Sequence, residues 1–201
     1  MKILIVPTIR KIYKDQIEYC VDFRLLKFIK KIFNNASIEI YNLSIVKKYN
    51  LIIFAGGNSS YIKTDEDKVR NSINNKIYSF AIKNKIKMLG ICHGSHFLAK
   101  KNKFKIRRKK NHVGNHYVNF YINKKKLLKI VNSYHNEVIE YKRKKNINLF
   151  CIADDNTVEG FHIKNKKILG IMWHPERYKF YKNFDKRLIK EFNATNSIIS
   201  R

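Results

Sequence analysis

Residues 87–94 read KMLGICHG, an apolar run that leads into Cys92-His93-Gly94. A run of this kind predicts a buried strand followed by a sharp turn and a helix. A nucleophile on such a turn has a strained backbone, and Gly90 and Gly94, two residues to either side of the cysteine, leave room for it. The N–H groups and dipole of the following helix favour a thiolate and can bind an oxyanion. Taken alone, the motif leaves Cys92 open between a nucleophile and a buried structural cysteine.

Apolar runs of strand length lie along the whole first half of the chain. The segments between them show apolar positions at the helical period of 3.6 residues. Buried strands that alternate with helices are typical of a mostly parallel, doubly wound sheet, as in flavodoxin-like folds. The strands predicted here are residues 2–7, 37–41, 51–54 and 87–91, and the helices are residues 16–33 and 68–84.

The second half of the chain has strand-length apolar runs with few helices between them. This pattern indicates an antiparallel extension of the same sheet, so the predicted fold class is α/β, with helices flanking a mostly parallel sheet. The basic stretch 100–110 is expected to be an exposed loop, and a last helix is expected at about residues 184–192. The strands predicted in this half are residues 116–122, 148–154, 157–163 and 167–173.

The composition fits a single domain over residues 1–201. Hydrophobic residues make up 44% of the chain, and the 2 prolines and 7 glycines argue against long linkers. The cysteines, Cys20, Cys92 and Cys151, form no CxxC pair and indicate free thiols in a reducing compartment. No apolar run approaches the roughly 20 residues that span a bilayer, and the run at residues 3–7 is too short for a signal peptide. We therefore expect a cytoplasmic protein with no membrane partner.

The net charge of +28 is compatible with nucleic acid, an anionic surface or a phosphorylated substrate as partner. Lysine is spread along the chain among many Asn and Ile residues, so a biased composition is the favoured explanation of the charge, and a phosphate-bearing substrate is the alternative. The aromatic residues form no RNA-binding pattern, and nucleic acid ranks last among these partners. The sequence leaves open whether the charge is functional and whether the protein forms a homodimer.

A second motif, residues 169–177, reads LGIMWHPER. Its apolar strand leads to His174, which is followed by Pro175 and Glu176. A catalytic cysteine needs a base that takes its proton and a third group that fixes the imidazole tautomer. Pro175 stiffens the link between His174 and Glu176, because its ring fixes φ. Together, the two motifs predict a catalytic triad of Cys92, His174 and Glu176.

With these motifs the chain resembles the class I glutamine amidotransferase-like superfamily and, within it, the branch of stand-alone γ-glutamyl hydrolases. The resemblance covers nearly the whole chain in the expected order. His93 stands where this branch often has Arg, and His96 stands where the family has a Gln that helps hold the glutamate of the substrate. The resemblance rests on residues 53–58 (IFAGGN), 70–71 (RN), 90–94 (GICHG), 132–136 (NSYHN) and 173–177 (WHPER).

This resemblance implies a hydrolase that cleaves a γ-glutamyl amide through a glutamyl thioester on Cys92. His174 would be the base, Glu176 would orient it, and the backbone N–H groups of Gly57 and His93 would form the oxyanion hole. The residues expected to contact the substrate are Asn58, Arg70, His96, His112, His116, Ser133, Tyr134, His135 and Arg177.

We assign no cofactor and no metal from the sequence. The spacing of His112 and His116 suits zinc on a helix, but Gly114 interrupts the stretch and no acid or cysteine is adjacent.

The substrate is expected to be a small γ-glutamyl molecule. The chain looks like the hydrolases of capsule biosynthesis that release glutamate and cytidine diphosphoramidate from γ-glutamyl-CDP-amidate, on the way to capsular polysaccharide phosphoramidate. The diphosphate of such a nucleotide-linked substrate would suit basic residues near the site. The alternative enzyme is a glutaminase subunit that supplies ammonia to a separate synthetase, and the third reading is a non-enzymatic nucleic-acid binder.

Overall fold

The computed structural model describes residues 1–14, 16–41, 49–57, 61–110, 112–122, 125–142, 145–196 and 198. Within these ranges, eleven strands form one sheet, and two more form a separate antiparallel ribbon. The strands of the sheet are β1 (Lys2–Val6), β4 (Ser37–Ile40), β5 (Leu51–Phe54), β6 (Lys87–Ile91), β7 (Ile106–Arg108), β8 (Gly114–Ile122), β9 (Lys125–Ser133), β10 (Glu137–Glu140), β11 (Asn148–Ala153), β12 (Thr157–Ile163) and β13 (Ile168–Ile171), and those of the ribbon are β2 (Thr8–Tyr13) and β3 (Gln16–Cys20).

The order of the strands across the sheet is β4-β1-β5-β6-β13-β12-β11-β8-β9, and β10 pairs with both β12 and β7. The strands from β4 to β13 pair in parallel, whereas β12 and the strands beyond it pair antiparallel. This arrangement confirms the predicted fold class of a mostly parallel sheet with an antiparallel extension.

Helices cover both faces of the parallel half. They are α1 (Phe23–Ile32), α2 (Asp65–Lys83), α3 (His93–Lys101) and α4 (Asn183–Thr195). Successive side chains of a strand point to opposite faces, so Ile3 and Ile5 of β1 pack with α1 and α4, while Leu4 and Val6 pack with α2 and α3. The carboxyl ends of β5, β6 and β13 therefore meet at one edge, where loops can bring side chains together.

The helix predicted at residues 16–33 is wrong in its first part. Residues Gln16–Cys20 form β3, which pairs with β2, and the helix begins at Phe23. Asp22 fixes this start, because its side chain accepts a hydrogen bond from the first turn of α1. Ile17 is 45% exposed, so the apolar residues of this segment do not form one buried helical face.

The exposed loop predicted at residues 100–110 is also wrong in part. Helix α3 continues to Lys101, and Ile106–Arg108 form β7. Pairing with β10 determines this strand, and its lysine-rich sequence gives no local sign of that distant partner. Among the described residues, no helix has the length and apolar character needed to cross a membrane.

Candidate active site

Cys92 lies at the sharp turn between β6 and α3. Its backbone has φ of 49° and ψ of −106°, an unusual conformation for a residue with a side chain. The glycines on either side are required by close packing, since a Cβ on Gly94 would overlap the carbonyl of Phe54 and one on Gly90 would come within 2.7 Å of the backbone of Gly94. The turn thus has the geometry of a nucleophile elbow.

His174 follows β13, which pairs in parallel with β6 with Ile171 opposite Ile91. The two neighbouring strands therefore deliver His174 and Cys92 to the same edge of the sheet. The Nδ1 atom of His174 lies 2.5 Å from Oε1 of Glu176, and both side chains are buried. This bond leaves Nε2 as the ring nitrogen that can exchange a proton with a thiol.

Opposing effects act on the pKa of His174. Burial lowers this pKa, but hydrogen bonds with Cys92 and Glu176 outweigh burial and raise it to about 9. The imidazolium form of His174 is therefore favoured at neutral pH. The thiol, the imidazole and the carboxylate predicted from sequence are brought together.

Asn132 holds the backbone of His174, a contact that sequence reasoning missed. Its Oδ1 accepts a hydrogen bond from the His174 N–H at 2.7 Å, and its Nδ2 donates to the His174 carbonyl at 2.9 Å. A buried amide that satisfies both backbone groups fixes the position of the base. Asn132 is part of the quoted stretch 132–136, but nothing local in that stretch indicates this partner.

The loop after β5 forms the wall next to Cys92, and Arg70 of α2 holds this loop from beneath. The guanidinium donates to the carbonyl of Ala55 at 2.6 Å, to that of Gly56 at 3.1 Å and, by a short bond, to that of Gly57. Arg70 is only 1% exposed. The expectation that Arg70 contacts the substrate is therefore wrong, because its donors are directed at backbone carbonyls inside the protein.

Two cavities meet at Gly57, His174 and Arg177. The first, of about 500 Å³, is called the nucleophile cavity; the second, of about 350 Å³, is called the hairpin cavity because residues of β2 and β3 line it. The nucleophile cavity is lined by Gly57, Cys92, His93, His96, Arg108, Tyr134, His135, Asn136, Glu137, His174 and Arg177. The hairpin cavity is lined by Thr8, Arg10, Cys20, Val21, Asp22, Leu25, Ala55, Gly56, Gly57, His174, Glu176 and Arg177.

Some of the other residues expected to contact substrate line the nucleophile cavity, and the rest do not. His96, Tyr134, His135 and Arg177 line the nucleophile cavity, and the Arg177 guanidinium lies 4.6 Å from the centre of the Tyr134 ring. Asn58 lies outside the described residues.

Ser133, His112 and His116 do not line either cavity. Ser133 Oγ donates to the His112 carbonyl at 2.5 Å, and the rings of His112 and His116 face Glu159. The expectation that Ser133 and His112 contact the substrate is wrong, since both are buried and these polar groups are directed into the protein. His116 is partly exposed, and its contact with substrate stays a prediction. Glu159 itself was missed, because an acidic residue in a strand gives no signal of its partners.

Sequence reasoning also missed two basic residues of the cavity walls, Arg10 and Arg108. Both belong to strands that were not predicted, β2 and β7. Together with Arg177 they place three guanidinium groups in the walls of the two cavities, beside the carboxylates of Asp22, Glu137 and Glu176. Guanidinium groups suit an anionic ligand.

Comparisons with known proteins agree with this architecture. The family model Glutamine amidotransferase class-I matches residues 16–194. The chain is 36% identical over 143 residues to the gamma-glutamyl-CDP-amidate hydrolase of Campylobacter jejuni subsp. jejuni serotype O:2, an alignment that covers 70% of this chain and 68% of the relative.

Solved structures show a similar fold at low sequence identity. A Thermoplasma acidophilum protein, named for one of the subunits of GMP synthase, aligns with a TM-score of 0.71 and 18% identity over 96% of this chain and 92% of its own. A glutamine amidotransferase from Thermotoga maritima aligns with a TM-score of 0.65 and 18% identity over 87% of this chain and 76% of its own.

Proposed function

Because the chain belongs to the class I glutamine amidotransferase family, we propose that it is a cysteine hydrolase of γ-glutamyl amides. The proposed substrate is γ-glutamyl-CDP-amidate, which water cleaves to glutamate and cytidine diphosphoramidate. The observation that carries this proposal is the hydrogen-bonded series of Cys92, His174 and Glu176, in which Cys92 and His174 line the nucleophile cavity and Glu176 lies behind His174. The relative named for this activity supports the choice of substrate.

The proposed reaction begins when the Cys92 sulfur, its proton transferred to Nε2 of His174, attacks the γ-carbonyl carbon of the glutamyl group. A C–S bond forms, and the carbonyl oxygen becomes an oxyanion that the N–H groups of Gly57 and His93 would stabilise. The C–N bond then breaks as His174 returns the proton to the leaving nitrogen. Glu176 keeps the imidazole in the required tautomer through the bond to Nδ1.

The second half of the proposed reaction consumes one water. His174 takes a proton from the water, and the hydroxide adds to the thioester carbon. Glutamate leaves as the C–S bond breaks, and the proton returns to the sulfur. The side chains of the cavity would exclude other water from the thioester until this step.

The basic walls support a leaving group that carries phosphate. Arg108 lines the nucleophile cavity, Arg10 lines the hairpin cavity, and Arg177 lies where the two meet. Guanidinium groups bind phosphate oxygens in bidentate fashion. We therefore place the glutamyl group beside Cys92 and the diphosphate near Arg108 and Arg177.

Mass spectrometry of the intact protein mixed with γ-glutamyl-CDP-amidate tests the mechanism. We expect a glutamyl adduct on Cys92 and release of glutamate, both absent in Cys92→Ala. The matched control is Cys151→Ala, which removes a buried thiol of the core and should keep turnover. Turnover retained by Cys92→Ala would refute the mechanism, and glutamine hydrolysis that appears only with a synthetase added would favour an ammonia-supplying subunit instead.

A further inference from the structure

The side chain of Glu159 on β12 is enclosed by three imidazoles. Its Oε1 lies 3.1 Å from Nε2 of His112, and its Oε2 lies 3.7 Å from Nε2 of His116 and 3.9 Å from Nε2 of His135. The ring of His112 is 4.7 Å from that of His116 and 5.0 Å from that of His135, centre to centre. We call these four residues the histidine–glutamate cluster.

Three members of the cluster are buried and His116 is half-buried, which makes the hydrogen bonds of the cluster important. Glu159 is fully buried, and His112 and His135 are 4% and 7% exposed. Within the part of the chain that the structure describes, Nε2 of His116, Nε2 of His135 and Oε2 of Glu159 are buried without a hydrogen-bond partner. Unsatisfied polar atoms in such a place are costly, and three that converge require an explanation.

The position of the proton on His135 determines whether the ring nitrogen that faces Glu159 is a donor or an acceptor. Its Nδ1 lies 2.9 Å from the carbonyl of Glu137, which can only accept, so Nδ1 carries the proton of a neutral ring. Nε2 then presents a lone pair to Oε2 of Glu159, which also presents lone pairs. Two acceptors that face each other in a buried site repel one another, and a cation between them would remove this repulsion.

The spacing suits a metal ion. Zinc binds histidine nitrogen and carboxylate oxygen at about 2.0–2.2 Å, so the donors of a tetrahedral site lie roughly 3.3 Å from one another. The separations of 3.1, 3.7 and 3.9 Å between the Glu159 oxygens and the histidine nitrogens lie around this value and need only small shifts. The donor atoms of His112, His135 and Glu159 all lie within 4.8 Å of one another.

The outer contacts of the rings also suit a metal ion. Nδ1 of His112 lies 3.2 Å from a carboxylate oxygen of Asp155, and Nδ1 of His135 is held by the Glu137 carbonyl. Histidines that bind metals commonly donate their other N–H to a carboxylate or a backbone carbonyl, which aims the free nitrogen at the ion.

We propose that His112, His135 and Glu159 bind a Zn²⁺ ion through Nε2, Nε2 and the carboxylate. His116 lies outside this group of mutually close donors, and its Nε2, 3.7 Å from Glu159, would become the fourth donor after a shift of the ring. This proposal departs from the expectation of no metal site. His112 and His116 lie before and within β8 instead of on a helix, and the missing acid is supplied by β12. The ion would tie β8, β12 and the segment before β10 together. Because His135 lines the nucleophile cavity, the ion would fix one wall of that cavity without contacting Cys92.

A proton is the competing occupant. Burial lowers the pKa of His112, but Glu159 and Asp155 outweigh this effect and raise it, so a proton on His112 would satisfy both carboxylates. That proton still leaves Nε2 of His135 facing Oε2 of Glu159.

The test uses full-length, untagged protein carrying Cys92→Ser, because a thiolate at the active site would itself bind zinc. After dialysis against a chelator, the protein is titrated with Zn²⁺ in competition with a chromophoric chelator, and separately with Co²⁺. We expect one equivalent of metal and the visible absorption of four-coordinate Co²⁺. X-ray absorption at the zinc edge should show nitrogen and oxygen ligands and no sulfur.

Single substitutions test which residues bind the metal ion. Glu159→Gln should abolish stoichiometric binding, and Asp155→Asn, which changes only the outer contact of His112, should weaken it about 10- to 100-fold. His162→Asn is the matched control, since His162 is a buried histidine on β12, the strand of Glu159, but lies outside the cluster. The affinity of this variant for Zn²⁺ should be unchanged.

Two results would overturn the proposal. One is that the dialysed Cys92→Ser protein takes up no stoichiometric Zn²⁺ and its melting temperature does not rise with added Zn²⁺. The other is that Glu159→Gln binds as tightly as its parent. If Glu159→Gln does not fold, the Co²⁺ spectrum and the zinc-edge data on the Cys92→Ser protein decide without it.

Discussion

At the scale of single residues, the contacts of His174 with Cys92 and Glu176 determine the pH at which the imidazole can act. The pKa of His174 is raised to about 9, so the ring holds its proton below this pH and loses it above. Since the leaving nitrogen needs that proton, we expect kcat/KM to fall as the pH rises through about 9. Stopped or continuous assays of glutamate release at pH values below and above 9 measure this fall in kcat/KM.

Glu176→Gln keeps an oxygen that can accept from Nδ1 but removes the negative charge that stabilises the imidazolium. We expect the high-pH limb of the profile to move to lower pH and kcat to fall about 10²-fold, a smaller loss than in Cys92→Ala. A limb that stays at the same pH in this variant would show that Glu176 does not act on His174.

A second residue, Asp185 of α4, places a carboxyl group in the core beneath Trp173. Trp173 donates to its Oδ1 at 3.0 Å, while Oδ2 is buried without a hydrogen-bond partner among the described residues. Burial raises the pKa of Asp185 to about 6, above the value of an unfolded chain. The folded state therefore binds more protons between about pH 4 and 6, and this group destabilises the fold increasingly as pH rises through that window.

Asp185→Asn should remove this cost, because an amide oxygen can still accept from Trp173. We expect the free energy of unfolding to rise by about 2–3 kcal/mol at pH 7.5 and the gain to vanish toward pH 4. Denaturant unfolding of the parent and of Asp185→Asn at pH 7.5 and at pH 4 measures this difference in the free energy of unfolding. A variant that is less stable than the parent at pH 7.5 would show that the charged form makes favourable contacts that outweigh its burial.

At the scale of elements, two glycines near the site have different neighbours and should have different effects. A Cβ on Gly94 would overlap backbone atoms of Phe54 on β5, which cannot move aside without shifting the sheet. A Cβ on Gly56 would come within 2.5 Å of Cε1 of His174, which is a side chain. We expect Gly94→Ala to lose about 3 kcal/mol of stability and Gly56→Ala to keep most stability but lose most turnover.

Thermal melts and initial rates of the two variants separate these effects. An equal loss of stability in the two variants would contradict the prediction that Gly94→Ala acts mainly on stability and Gly56→Ala mainly on turnover.

The elements that could be predicted from sequence are those whose signal is local. Strands β5 and β12 match the apolar runs at residues 51–54 and 157–163, and the turn at Cys92 follows from its flanking glycines. Strand β3 could not be predicted, because its alternating apolar residues fit a helix as well as a ribbon and its pairing with β2 decides the outcome. Strand β7 exists through its pairing with β10, which no local pattern indicates.

The same distinction holds for the site. His174 and Glu176 are two residues apart, so their contact could be predicted. The histidine–glutamate cluster joins β8, the segment before β10, and β12, and Arg70 reaches the loop after β5 from a helix. A basic or acidic side chain gives no sign in the sequence of which distant group it will meet.

At the scale of the whole molecule, the net charge of +28 provides a test of the proposed substrate. A field of this sign attracts a diphosphate-bearing substrate and is screened by salt. We expect kcat/KM for γ-glutamyl-CDP-amidate to fall at least about tenfold between low and high salt, and kcat/KM for a substrate with an uncharged anilide leaving group to change little. Rates for both substrates over a salt series measure this.

A matched pair of variants separates local from global charge. Arg108→Gln removes a guanidinium from the nucleophile cavity and should flatten the salt dependence, whereas Lys83→Gln, in the last turn of α2 at the opposite edge of the sheet, should not. Identical salt dependence for both substrates would mean that the charge of the chain does not serve this reaction.

The position of β13 between β6 and β12 has a consequence for the order in which the protein is made. On a ribosome, Cys92 and its turn emerge long before Ile168–Ile171, the strand that must insert between two partners already synthesised. Until that insertion, His174 does not stand beside the sulfur of Cys92. Reactivity is thus withheld until Ile168–Ile171 and His174 have been synthesised and β6 and β12 have paired with β13.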